Sequence, residues 1–105
     1  MTVPFAGAPG VQSFESPSVL PTACFAVHAR ATPGTLPRIL EIFAKRGWIP
    51  SSVEARLVSG GEELAADIQM PGLDQDTALL VAANLRAIVD VQSVLTTQRI
   101  RSREG

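Results

Sequence analysis

Cys24 and His28 belong to the residue types that carry out nucleophilic or acid–base chemistry, and His28 is the only histidine in the chain. A cysteine, serine or threonine nucleophile needs a base within hydrogen-bond reach. Cys24 and His28 lie four positions apart in a stretch that alternates like a β-strand, where a rise of about 3.3 Å per residue separates them by about 13 Å. They cannot form a dyad within one protomer, so the sequence predicts no catalytic residue and no enzyme activity.

The acidic residues and the single cysteine offer no metal site. The chain has no Cys-x-x-Cys motif, no histidine pair and no Asp-rich loop. Its paired carboxylates, Glu62 with Glu63 and Asp74 with Asp76, fall at predicted turn and helix-cap positions, where solvent and helix dipoles favour them. We therefore expect no metal and no other cofactor.

One corner of the chain remains as a candidate binding site. It consists of Ala31, Thr32, Pro33, Gly34 and Thr35. Backbone amides at a helix N-terminus can hold an anion such as an amino-acid carboxylate, and a glycine allows close approach of a ligand or a neighbouring backbone. The alternative is that this 31–35 corner only turns the chain and caps the helix. Pro37 limits the helix start to Gly34 or Thr35, since proline is tolerated only in the first turn.

The elements that position the corner follow from hydrophobic periodicity. Alternation predicts a first strand whose inward set is Phe25, Val27 and Ala29. A helical stripe comes next, and Gly47 should end that helix as its C′ residue. The stripe consists of Leu36, Ile39, Leu40 and Phe43.

A hairpin, a second helix and a last strand complete the pattern. Residues 59–62 predict a tight turn between strands two and three. The inward sets of these strands are Ile49, Ser51, Val53, Ala55 and Leu57, then Leu64, Ala66, Ile68 and Met70. Asp74 is a good N-cap for a helix that Asp90 would end, before a strand from Val91 to about Ile100. The stripe of this helix consists of Ala78, Val81, Leu85 and Ile88.

The order strand, helix, strand, strand, helix, strand predicts an α+β, ferredoxin-like βαββαβ sandwich. Both helices should cover one face of a four-stranded antiparallel sheet. The other face is expected to be largely polar, with His28, Arg30, Glu54, Arg56, Asp67 and Gln69. RNA-binding domains of this fold stack bases on aromatic side chains of that face. This chain has no tyrosine, and Phe25 has the inward parity, which argues against RNA binding.

Length and composition fit one domain of 105 residues with flanking segments. We expect a flexible Pro/Gly/Ser-rich extension at 1–21, the folded domain at 22–100 and a basic tail at 101–105. A net charge of -1 argues against nucleic-acid and anionic-membrane surfaces. No apolar run approaches the roughly 20 residues that cross a bilayer, and no signal peptide is evident, so cytoplasmic residence is the expectation.

The segment from Cys24 to Ile100 resembles an ACT domain, a small regulatory module that senses amino acids, and most of all the short small subunits of acetolactate synthase. The resemblance is carried by Ala29-Arg30, Pro33-Gly34-Thr35-Leu36, Arg46-Gly47-Trp48 and Ile88-Val89-Asp90-Val91. It implies a homodimer with an effector at the subunit interface. The implied effector-binding residues are Ala31, Thr32, Pro33, Gly34 and Thr35 of one subunit and Ile49 of the other.

Two functions follow from this resemblance. The first is a non-catalytic regulatory or stabilising subunit, dimerising by its sheet edge or helices and docking on the catalytic acetolactate synthase large subunit of branched-chain amino-acid biosynthesis. The second is a stand-alone homodimeric amino-acid sensor. Many effector-binding relatives carry Asp or Asn at the position of Ala31 and Asn at that of Ile49. Because neither residue here accepts a hydrogen bond from a buried ammonium, the sequence favours a subunit insensitive to a branched-chain amino-acid effector.

Overall fold

The computed structural model describes residues 21–99, so most of the predicted N-terminal extension, the predicted basic tail and Ile100 lie outside the described residues. The elements are β1 (Thr22–Arg30), α1 (Thr35–Ala44), β2 (Ser52–Val58), a 3-10 turn (Ser59–Gly61), β3 (Glu63–Pro71), α2 (Gln75–Arg86) and β4 (Val91–Arg99). The predicted order of strands and helices is confirmed. Neither α1 nor α2 is long and apolar enough to cross a membrane.

The strands form one sheet in the order β2-β3-β1-β4, and every neighbouring pair is antiparallel. The central strand β1 pairs with both β3 and β4, so Phe25 lies opposite Ile68 on one side and Thr96 on the other. The buried side chains of both helices join those of one sheet face in a single core cluster. This is the predicted α+β ferredoxin-like βαββαβ sandwich.

The core is built where the two central strands meet the helices. The inward sets predicted for β1 and β3 are buried as expected. Phe25 of β1 meets Phe43 of α1 edge to face, with ring centroids 5.8 Å apart. Ile68 from β3 and Leu85 from α2 are fully buried in the same cluster. These contacts fix α1 over the centre of the sheet, and with it the 31–35 corner at the start of α1.

The inward set predicted for the second strand is wrong in two respects. β2 begins at Ser52, so Ile49 lies before it, because Pro50 has no N–H to donate to the ladder. The apolar residues within β2 are also not buried: Val53 is 41% exposed and Leu57 is 62% exposed. The reason is position, since β2 is an edge strand that the helices do not cover.

Both helices start where the sequence predicts. α1 begins at Thr35 and closes with Gly47 at φ 75°, where the N–H of Gly47 bonds the carbonyl of Ala44 and the N–H of Trp48 bonds that of Phe43. This is a Schellman motif with Gly47 at C′, as predicted.

The C-terminal end of the second helix was predicted too late. α2 stops at Arg86, not at Asp90, because tight turn bonds take over: the N–H of Ile88 donates to Leu85 and the N–H of Val91 to Ile88. The intervening turn leaves Asp90 free to project toward the start of α1.

The open face of the sheet is less polar than predicted. It carries two of the expected charged residues, Arg56 and Asp67, which form an ion pair at 3.6 Å. Cys24 and Ala26, however, lie beside Leu95, which is 65% exposed. A shallow groove of about 350 Å³ runs over these small side chains. Among the described residues that line the groove the one aromatic residue is Phe25, whose side chain is buried in the core.

Replacing Asp74 with alanine should destabilise the domain at neutral pH. The Asp74 carboxylate caps α2 by accepting the N–H of Thr77 at 2.8 Å, and hydrogen bonding from the side chain and backbone of Thr77 lowers the pKa of Asp74. Because the pKa is lower in the folded state, the stabilisation is present above the unfolded-state pKa of about 3.9 and is lost as the pH falls through the folded-state value.

Thermal unfolding of the wild type and Asp74→Ala across this pH range measures the effect. The difference in melting temperature should shrink in acid. Asp74→Asn keeps an acceptor that does not titrate and serves as the control. A difference in melting temperature that grows as the pH falls would contradict the capping role assigned to Asp74.

Candidate functional site

The 31–35 corner joins the end of β1 to the start of α1. Ala31 is half-buried against the core, Thr35 is fully buried, and the three residues between them are exposed. The corner is therefore anchored at both ends and open in the middle. Thr35 is the one polar residue in the buried set of the described chain.

Asp90, which the sequence analysis placed at a helix end and in one segment of the family resemblance, organises the corner. Its carboxylate oxygen Oδ2 accepts the hydroxyl of Thr32 at 3.0 Å and lies 3.4 Å from the hydroxyl of Thr35. The two hydroxyls are 2.7 Å apart. The Asp90 carbonyl also accepts the N–H of Arg30 at 2.9 Å. We call Thr32, Thr35 and Asp90 the corner clamp.

The clamp places a carboxylate beside the N-terminus of α1. Gly34 is the N-cap residue and makes no side-chain cap bond, and the first turn of α1 contains no acidic residue. A negative charge near a helix N-terminus is favourable. Asp90 supplies that charge from a distant part of the sequence.

The backbone amides of the corner are also largely engaged. The N–H of Ala31 donates to the carbonyl of Glu62 at 3.1 Å. The N–H of Thr32 donates to the carbonyl of Arg30 at the end of β1, and the N–H of Thr35 donates to the carbonyl of Thr32. Pro33 has no N–H. Most of the backbone N–H groups that were predicted to bind an anion therefore donate to acceptors within the chain.

Gly34 is not required by the conformation of the corner. Its φ of -87° is open to any residue, and a methyl group placed on it would meet the Arg38 side chain at 3.6 Å, an ordinary contact. The guanidinium of Arg38 therefore borders the space beside Gly34.

Gly34→Ala should leave the free energy of unfolding unchanged or raise it by about 0.4–1 kcal/mol, because alanine restricts the unfolded chain and fits the folded one. Urea denaturation measures this. Gly47→Ala is the matched contrast, since φ is 75° at Gly47 and the change should cost about 1 kcal/mol. A destabilised Gly34→Ala variant would contradict the geometry given above.

A second feature beside the corner escaped the sequence analysis. A shallow pocket of about 470 Å³ adjoins Ala31 and Thr32 and is lined by charged side chains of both signs. Arg30 offers a guanidinium, and Glu62 and Glu63 offer carboxylates. Such a set complements a zwitterion, because a carboxylate can meet the guanidinium while an ammonium meets a carboxylate.

Ile49 lies apart from the corner within one protomer. It follows the C-terminal end of α1, a helix of 10 residues that spans about 15 Å, and it is 84% exposed. The residues predicted to bind an effector are therefore split into two places. A site that used both would need a second subunit, as the resemblance implies.

The two residues considered for nucleophilic chemistry lie apart on one strand. Cys24 and His28 lie on the same strand, paired with β3 at Gln69 and Ala65 respectively. Within residues 21–99, no group of three metal-ligating side chains comes together.

The family model for the ACT-like domain matches residues 19–102, which is most of the chain. The chain belongs to the ACT-like domain family. An ACT domain is a regulatory or ligand-binding module, and the predicted family is confirmed at this level. No curated protein shows significant sequence similarity to the chain.

Solved structures share the fold at low sequence identity. The ACT domain of GTP pyrophosphokinase from Chlorobium tepidum superimposes with a TM-score of 0.63 at 12% identity, covering 72% of this chain and 96% of that one. An uncharacterized protein of Thermotoga maritima superimposes with a TM-score of 0.61 at 13% identity, covering 73% of this chain and 94% of that one. The C-terminal domain of the MgtC protein from Mycobacterium tuberculosis superimposes with a TM-score of 0.58 at 12% identity, covering 87% of this chain and 100% of that one. At these identities the likeness concerns the ACT-like fold alone.

Proposed function

We propose that this ACT-like chain is a cytoplasmic, non-catalytic regulatory or stabilising subunit of acetolactate synthase, acting as a homodimer that binds the catalytic large subunit. The observation that carries the proposal is the corner clamp. Asp90 already holds Thr32 and Thr35 in place, so the corner is ordered without an effector. A ligand carboxylate at the start of α1 would also meet a like charge.

The choice of enzyme rests on the sequence resemblance described above. Two of its segments meet in space, since Asp90 of the 88–91 segment accepts the hydroxyl of Thr35 of the 33–36 segment at 3.4 Å. A subunit of this kind acts by changing the conformational equilibrium of its enzyme, which requires different contact free energies with the enzyme's two states. It needs a stable, preformed surface and no reactive group of its own.

Reconstitution with the catalytic acetolactate synthase subunit from the same organism tests the proposal. The chain should co-purify with that subunit, raise its rate of acetolactate formation and leave it insensitive to valine. Phe43→Ala, which removes a core side chain, serves as the control for a chain that has lost its fold. Absence of any effect of the folded chain on activity would contradict the proposal.

A specific observation supports a second candidate, a stand-alone amino-acid sensor. The pocket beside the corner brings Arg30 together with Glu62 and Glu63 and has room for a small zwitterion. Calorimetric titration with valine, leucine and isoleucine separates the two functions. Binding that is lost in Arg30→Ala would favour the sensor, and absence of binding would favour the subunit.

A further inference from the structure

The last strand, β4, contains a run of residues that is prone to pair with another strand. From Val91 to Gln98 the chain has no charged residue, no proline and no glycine, and half of the run is valine or threonine. Leu95 in its middle is 65% exposed. Short segments with high β-propensity, no charge and no proline are the sequence signature of strands that associate between molecules.

β4 is also an edge strand, since β1 is its single neighbour among the described strands. The other edge strand, β2, carries Glu54 and Arg56 within the strand itself. Charged side chains on an edge oppose pairing with another chain, and β4 has none between Val91 and Gln98. Protection of the β4 edge must therefore come from its backbone geometry or from another element.

The backbone bonds of β1 show which groups of β4 point away from the sheet. The N–H of Ala31 donates to the carbonyl of Glu62, on the β3 side. Because these directions alternate along a strand, the N–H and C=O of Val27 also point toward β3. Val94 lies opposite Val27 in the pairing of β1 with β4. The N–H and C=O of Val94 therefore point outward, to the free side of β4.

Arg86 occupies this outward carbonyl. Its guanidinium donates to the Val94 carbonyl oxygen at 3.0 Å. Arg86 is the last residue of α2, which packs against β4, so its side chain reaches the free side of the strand from the helix layer. Within residues 21–99 the guanidinium has no carboxylate partner. A hydrogen bond from a charged donor is stronger than the bond that the N–H of a further strand would make to the same carbonyl.

The ladder between β1 and β4 is irregular next to this contact. His28 lies opposite Ser93 and Ala29 lies opposite Val91, so Gln92 has no opposing residue on β1. A bulge of this kind bends and twists an edge strand away from the geometry that a further strand needs. The bulge thus protects the start of β4, and the bond from α2 protects its middle.

We propose that Arg86 prevents β4 from pairing with the β4 strand of a second copy of this chain. The excluded partner is a second copy because it carries the same uncharged strand, and two β4 strands can pair antiparallel across a two-fold axis. Each copy would have to release its bond from Arg86 to the Val94 carbonyl. Loss of one hydrogen bond from a charged group weakens such an association at least about tenfold.

Sedimentation velocity of Arg86→Ala tests the proposal. The variant should self-associate at least about tenfold more tightly than the wild type. Arg38→Ala, which removes the same charge from an exposed position on α1, is the matched control and should sediment like the wild type. Equal self-association of Arg86→Ala and the wild type, or an equal rise in both variants, would overturn the proposal.

A second substitution and hydrogen exchange locate the new contact. Adding Leu95→Lys to Arg86→Ala places a charge at an exposed position within β4 and should return self-association to the wild-type level. The outward N–H groups of Val94 and Thr96 should exchange more slowly in the Arg86→Ala assembly than in the wild type. Self-association without this protection would place the contact elsewhere and contradict the role of Arg86.

A folding control distinguishes pairing of folded chains from aggregation of unfolded ones. Arg86→Gln keeps a polar side chain with good helix propensity and no charge, and it should behave like Arg86→Ala. Urea denaturation should show cooperative unfolding of both variants. Self-association that appears only when cooperative unfolding is lost would count against the proposal. Every comparison is with the wild type, so the results do not depend on whether the chain acts on acetolactate synthase.

Discussion

Phe43→Ala should lower the free energy of unfolding by about 3–5 kcal/mol, which is the range for removing a buried aromatic ring from a packed core. Phe43 is 1% exposed and its ring contacts the edge of Phe25 at a centroid distance of 5.8 Å. A small domain has only about 5–15 kcal/mol of stability in total, so the variant should be largely unfolded near body temperature. The urea midpoint of unfolding measures the loss.

Two control variants separate the loss of the ring from general sensitivity to substitution. Phe43→Leu keeps most of the apolar volume and should cost less than about 1.5 kcal/mol. Val89→Ala changes an exposed apolar residue on the same chain and should stay within about 0.5 kcal/mol. If the urea midpoint of Phe43→Ala equalled that of the wild type, α1 would not pack on β1 as described.

The parts of the fold that the sequence predicts well are those where burial is decided locally. Phe25, Val27 and Ala29 alternate, and the strand they mark lies at the centre of the sheet with its inward set buried. The residues at which helices start are also decided by near neighbours in sequence, because the Asp74 carboxylate caps α2 by accepting the N–H of Thr77, three residues later. Alternation and capping are properties of a few neighbouring residues, so they can be recognised without the tertiary structure.

The prediction for β2 failed because alternation does not distinguish a strand covered by helices from one at an edge. Val53, Ala55 and Leu57 have the same pattern as the buried sets, and only the strand order β2-β3-β1-β4 shows that they lie outside the helix layer. The pattern correctly indicates an apolar face.

The corner clamp was missed for a related reason. Asp90 and Thr32 are 58 positions apart, and their contact depends on β1 and β4 being antiparallel neighbours, which brings the end of one to the start of the other. That adjacency is implied by the predicted fold, so Asp90 could have been placed near the corner by topology. The hydrogen bonds between the Asp90 carboxylate and the two threonine hydroxyls could not be predicted, because they depend on α2 ending at Arg86.

Asp90→Ala should lower the free energy of unfolding by about 1–2 kcal/mol, because it removes a charge-assisted hydrogen bond and the carboxylate beside the N-terminus of α1. The buried Thr35 hydroxyl would keep only Thr32 as a hydrogen-bond partner, since no other described side chain forms a hydrogen bond with it. Urea denaturation gives the loss, and amide hydrogen exchange should show faster opening of residues 31–35 while the core strands are less affected.

A double-mutant cycle assigns the effect of Asp90 to the clamp rather than to its charge alone. Asp90→Asn retains an acceptor oxygen and should cost less than Asp90→Ala. Thr32→Val removes the donor at 3.0 Å, so the combination of Thr32→Val with Asp90→Ala should cost less than the sum of the two single changes. Strict additivity would show that the carboxylate and the hydroxyl act independently, and the corner would then have no internal substitute for an effector. Coupling would instead mean that Asp90 supplies, from within the chain, the negative charge that the start of α1 favours. This is what the proposed regulatory subunit requires if it is to stay ordered without a bound amino acid.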